Sequence, residues 1–185
     1  MNTAIPAALG LPGAIEWYFQ GEKIEALVFI LPIGLLSLVF GVWLLADGVS
    51  SFTRGVAIPF LVMGLVMTAV GGLVGLRAPS QVAQLQQGLQ TDPQLTMVRE
   101  SARMEKVNKA WGKYLVLWGL MGALGMALRF ATASDFTRGL GIALVLFSGV
   151  GLMVDGFAER RAHAYAALLA GASSAPTTAA PGVSR

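Results

Sequence analysis

The chain alternates long apolar runs with short or charged pieces. The runs are 24–46, 56–76, 114–130 and 140–154 with its flanks. A helix needs about 20 apolar residues to cross ~30 Å of hydrocarbon. The first two runs meet that length; the last two are short or interrupted, so their ends must draw on flanking residues. The pattern predicts an all-α polytopic membrane protein with four transmembrane helices in two hairpins, 24–78 and 114–157.

The pieces between the runs have their own patterns. In 1–23, Pro12 suits the first turn of a brief helix carrying Ile15, Trp17, Tyr18 and Phe19. Trp and Tyr favour the membrane–water boundary, so this is expected to be an interfacial segment. Pro32 should kink the first span or free a carbonyl. Asp47-Gly48 closes that span, Thr53 is the expected N-cap of the second, and Pro59 could bend it. The connection 79–113 is polar. Its Gln-rich part, 81–90, is expected to be helical and solvated. Asp92-Pro93 pairs a capping carboxylate with proline at the first helical position. The helix it starts has a weak apolar stripe through Leu95, Val98, Ala102, Met104, Val107 and Trp111. It should lie on or rise from the membrane surface and run into the third span. Residues 158–170 extend the fourth span. The tail 171–185 is Ala, Ser, Thr, Pro and Gly apart from Val183 and Arg185, and is expected to stay disordered.

The two hairpins share a pattern. Without gaps, Phe52-Thr53-Arg54-Gly55 aligns with Phe136-Thr137-Arg138-Gly139. In the same register Ile58, Val66, Val70 and Gly72 fall on Ile142, Val150, Val154 and Gly156, and Arg77-Ala78 on Arg161-Ala162. We interpret this as a tandem duplication. Each unit has an even number of spans, so both hairpins enter from one side. That makes a parallel repeat about the membrane normal, not an inverted one.

Composition agrees: 55% of the residues are hydrophobic and 12% charged, about half the charge of soluble domains. The first run is too long for a signal-peptide core and no cation precedes Lys23, so no cleavage is expected. With no cysteine, disulfides, thiolate metal sites and cysteine nucleophiles are excluded. Arg54, Arg129 and Arg138 lie in the short loops. Lys23, Arg77, Arg99, Arg103, Lys106, Lys109, Lys113, Arg160 and Arg161 lie on the other side. Positive residues concentrate in the cytoplasm, which implies N-in/C-in topology with cytoplasmic helical extensions.

Candidate chemistry is sparse. Gly64, Thr68 and Gly72 fall on one face of the second span, and Gly119, Ala123 and Ala127 on one face of the third. Such stripes pack helices within a bundle or dock a partner's helix. Arg54 and Arg138 sit at helix starts, where a cation opposes the helix dipole. Asp47 and Asp135 are the natural partners, with lipid phosphate the alternative, and the arginine pair is the candidate recognition feature. Asp155 is the one acid placed inside a span, a proton- or cation-relay candidate by default, yet it lies near the inner boundary and its repeat counterpart is Gly71. His163 stands alone among arginines, short of a metal site. The sequence contains no phosphate-binding loop, zinc motif or nucleophile arrangement. No enzyme activity, cofactor, metal or nucleic-acid partner is therefore expected, and the basic connection is expected to face lipid.

Four motifs carry a resemblance. They are Gly21-Glu22-Lys23-Ile24-Glu25-Ala26, the run 52–59 (FTRGVAIP), Arg103-Met104-Glu105-Lys106-Val107, and Glu159-Arg160-Arg161-Ala162 with Tyr165. Together they resemble a family of uncharacterised small four-span bacterial inner-membrane proteins. The resemblance implies architecture and inner-membrane location, not mechanism. A looser likeness of class is to immunity proteins that protect bacteria from membrane-targeting toxins. The expected function is a non-enzymatic inner-membrane interaction protein. Its most concrete form is an immunity protein whose partners are the bilayer and a secreted pore-forming or membrane-acting toxin. The alternative is a small homo-oligomeric channel or transporter subunit moving ions or protons past Asp155.

Overall fold

In a computed structural model, residues 10–47 and 50–174 are described. Pro6, Gly48 and the tail from residue 175 lie outside the described residues. The order is α1 (Leu11–Ile24), a π turn (Glu25–Ile30), α2 (Leu31–Ala46), α3 (Ser51–Thr91), α4 (Pro93–Ala131) and α5 (Asp135–Ser174). The first three run on as one helix, so four helices are long and apolar enough to cross a membrane.

Local chemistry sets the boundaries. The Ser50 hydroxyl accepts the Thr53 N–H at 3.1 Å, so Ser50 caps α3 in place of the expected Thr53. Asp92 ends α3 and caps α4, its carboxylate accepting the Leu95 N–H at 3.0 Å with Pro93 next in line. The expected polar connection is thus a hairpin: α3 continues through Pro79 and the Gln-rich stretch to Thr91, then turns straight into α4. Pro32 acts through the π turn. A proline ring crowds the carbonyl four residues back. Just ahead of it, the Leu31 N–H reaches five residues back to the Ala26 carbonyl, widening the helix. At the other end α5 stays helical to Ser174, past the expected start of the tail at Gly171.

α3 has 41 residues, about 60 Å at 1.5 Å per residue, or twice the thickness of hydrocarbon. The molecule accordingly has two unlike layers. Nearly all the exposed large apolar side chains lie in 28–45, 52–76, 114–130 and 142–157. Inside this apolar layer the closest helix contacts are made by small residues, with Phe40, Phe60 and the buried Phe147 packed edge to face beside them. Gly34 of α2 meets Met67 and Thr68 of α3, Gly64 of α3 meets Gly34 and Leu38, and Gly41 meets Leu61, while Gly71 and Gly75 of α3 face Ala26 and Leu27 of the π turn. The three-then-four spacing is that of a left-handed seam.

The other layer is built inside out by comparison. Ile15, Tyr18, Phe19, Met104, Ala162, Tyr165 and Leu169 form its buried core, with Val82, Leu85, Val107 and Trp111 packed around it. We call this layer the headpiece. α1 is the described part of the expected interfacial segment 1–23, and its apolar face, Ala14, Ile15, Tyr18 and Phe19, is buried against α3 and α5. α2 pairs with α3 and α4 with α5, and the α3–α5 contact joins the hairpins.

Candidate functional site

The α3–α5 contact begins at the loop end, at the paired FTRG motifs. A Cβ on Gly55 would collide with the Phe136 carbonyl oxygen, and one on Gly139 with that of Phe52. The crossing is therefore reciprocal, and glycine is required because backbone meets backbone. The two arginines differ. Arg138 donates to the Thr132 carbonyl at 3.2 Å and pairs with Asp135 at 3.4 Å. Arg54 is exposed on the first turn of α3 and has no ion pair among the described residues, and neither does Asp47. The expected Asp47 pairing is absent here, while the Asp135 pairing is present. Of the nearby hydroxyls, Ser50 caps α3, while Thr132 and Thr137 donate to the Leu128 and Ser134 carbonyls.

At the junction of the two layers the charges are paired across helices. Arg161 of α5 bonds Glu25 at the start of the π turn, and both side chains are 13% exposed. Gly21 leaves room for the Arg161 side chain. Glu22 pairs with Arg77 at 3.6 Å. Asp155 lies within electrostatic reach of Glu25 and accepts the Trp118 indole N–H at 2.6 Å. The indole in turn occupies the space left by Gly151, and the Ser148 hydroxyl donates to the Trp118 carbonyl at 2.7 Å. Asp155 is thus tied into the α4–α5 contact beside a charged belt.

Further into the headpiece, Glu100 is only 4% exposed. Arg103 grips it with two bonds of 2.7 and 2.6 Å. A buried charge is tolerated only when paired in this way. Burial disfavours the Arg103 charge, but the Glu100 bonds outweigh it and raise its pKa above the ordinary value. The guanidinium stands 5.8 Å over Tyr18 and 5.4 Å over Phe19. Tyr18 stacks on Tyr165 with centroids 4.5 Å apart. Burial, then the nearby Glu100 carboxylate, push the Tyr165 phenol up.

The other candidates are placed as follows. Gly64 and Thr68 lie in the α2–α3 seam. Gly72 has open space around it, and Gly71 takes its place against the π turn. Gly119, Ala123 and Ala127 are exposed; the small residues of α4 that meet α5 are Gly122 and Gly125, alongside Trp118. His163 is exposed, its ring nitrogen 3.0 Å from the Glu159 carbonyl. No cluster of three potential metal ligands occurs among the described residues. Sequence reasoning passed over Glu25, Glu100, Arg103 and Arg161 as site residues. The signal was present in the motifs: GEKIEA, RMEKV and ERRA with Tyr165 converge on the junction and the headpiece core.

The fold and its charged junction define a helical membrane protein with a packed headpiece. Compared with known families, curated proteins and solved structures, the chain shows no match.

Proposed function

We propose that the protein is a non-enzymatic membrane interaction protein that binds another membrane-inserted polypeptide. One observation carries this reading, the state of α4 in the apolar layer. Only 6% of its apolar window is buried, against 22–28% in the other three helices. Its bare face carries Gly119, Ala123 and Ala127, with open space at Gly119. Small residues let a second helix approach closely, and lipid offers no hydrophobic drive that would otherwise discriminate. The apolar layer is taken to span a bacterial inner membrane as two tandem duplicated hairpins, with the headpiece and both termini cytoplasmic. The reciprocal crossing of Gly55 and Gly139 supports the duplication. The excess of cations at the headpiece end supports the orientation.

In its most concrete form the partner is a pore-forming or membrane-acting toxin from a neighbouring bacterium, and the protein confers immunity. The test is deletion of the gene followed by exposure to a competitor strain. Immunity requires that sensitivity appear and that the intact gene remove it; unchanged resistance contradicts it.

The transport reading has Asp155 as its only support. The Trp118 bond engages that carboxylate, and glycine contacts close the α2–α3 and α3–α5 crossings. It requires pH-dependent flux in liposomes that Asp155→Asn abolishes. We give it second place on those contacts.

A further inference from the structure

A groove of about 530 Å³ runs between α1 and α3 where the headpiece meets the apolar layer. Phe19, Ala78, Pro79 and Val82 line it with apolar surface, and Trp17, Gln20 and Lys23 bring polar groups. Glu16 also lines it, at the end away from the apolar layer, and is occupied by the Gln86 amide at 2.8 Å. Lys23 has no ion pair among the described residues. It directly precedes Ile24, where the first apolar run begins.

The face of α3 that lines the groove continues into the apolar layer. Pro79, Leu76 and Gly72 succeed each other at helical spacing. Leu76 is 79% exposed, and a Cβ on Gly72 would have nothing within 4 Å. The groove therefore opens upward onto a strip of lipid-facing surface with a shallow gap in it. An occupant must be polar and anionic where it meets Lys23 and Trp17, and apolar above.

We propose that this groove holds one anionic phospholipid. Its headgroup phosphate sits against Lys23 and Gln20, and its acyl chains lie over Leu76 and the gap at Gly72. The headgroup is drawn by charge complementarity and the chains by the continuity of the apolar strip. Arg77 nearby is already paired with Glu22, which leaves Lys23 as the cation that meets the headgroup.

The test uses the full chain in detergent, delipidated and then titrated with phosphatidylglycerol or phosphatidylcholine, with retained lipid counted by native mass spectrometry. One phosphatidylglycerol should be retained per chain in preference to phosphatidylcholine. Lys23→Gln should lower that retention about fivefold, the effect of one basic residue at an anionic headgroup. Gly72→Leu, placed in open space so that the helix still folds, should lower it by blocking the chains. Gln20→Trp should do so by filling the groove. Equal retention of the two lipids overturns the proposal. So does retention that falls with Lys23→Gln but ignores both filling substitutions, which would mean general attraction to the charged surface.

Discussion

At Gly55 and Gly139 an added methyl group would run into a carbonyl of the facing helix. Forcing atoms into a packed contact costs roughly 1–3 kcal/mol. Gly55→Ala and Gly139→Ala should therefore lower the unfolding midpoint in detergent, as followed by circular dichroism. Gly72→Ala and Gly119→Ala meet open space. They should be neutral or raise the midpoint, since alanine favours a helix over glycine by about 1 kcal/mol. Equal effects at all four sites would remove the crossing from the account. Asp155 is testable on the same scale. Asp155→Asn keeps an oxygen for the Trp118 N–H and should change the midpoint little. Asp155→Leu strands that donor and should cost about 1–3 kcal/mol.

Individual residues also mark how far the sequence could be followed. Small residues four apart pointed to Gly64, Thr68 and Gly72, but the contacts run through Gly64, Thr68, Gly71 and Gly75. A strict four-residue step drifts around a helix of 3.6 residues per turn, whereas alternating four and three stays on one seam. The same drift separates Gly119, Ala123 and Ala127 from the Gly122 and Gly125 contacts on α4. The FTRG repeat was visible at once. That its glycines press on each other's motif was not, because spacing along one helix does not name the helix it meets.

Among the elements, the four apolar runs and the Asp92-Pro93 start were legible because length and capping act locally. The burial of α1 was not. An amphipathic helix with Trp and Tyr suits a membrane interface and a protein core equally well by pattern. Here Tyr18 and Phe19 pack under Arg103 and beside Tyr165, so this face of the helix is spent on protein contacts. The Glu100–Arg103 pair holds this core together and was hidden among alternating charges that look solvated. Arg103→Ala would leave Glu100 charged and buried. It should destabilise the protein by about 3 kcal/mol, at the low end for a broken buried pair because Arg103 retains partial contact with water. Lys109→Ala, which removes an exposed pair with Glu105, should leave the same midpoint nearly unchanged, since solvent screens a surface pair. If the two substitutions cost the same, the headpiece core has been misjudged.

At the scale of the whole molecule, two layers divide the work. The headpiece has an ordinary core and joins all four helices into one body. The apolar layer is held by glycine seams and leaves α4 attached mainly to α5, with its outer face bare. That contrast between α4 and the other three helices is the reason to look for a partner at α4. The most direct measurement places a photo-crosslinking amino acid at Gly119 or Ala123, and at Val39 on the exposed face of α2 as a control. After irradiation in native membranes, the adducts are identified by mass spectrometry. The account predicts one dominant heterologous membrane polypeptide captured from the α4 positions and not from Val39. Adducts formed only with a second copy of this chain, or equal capture from α2 and α4, would contradict it.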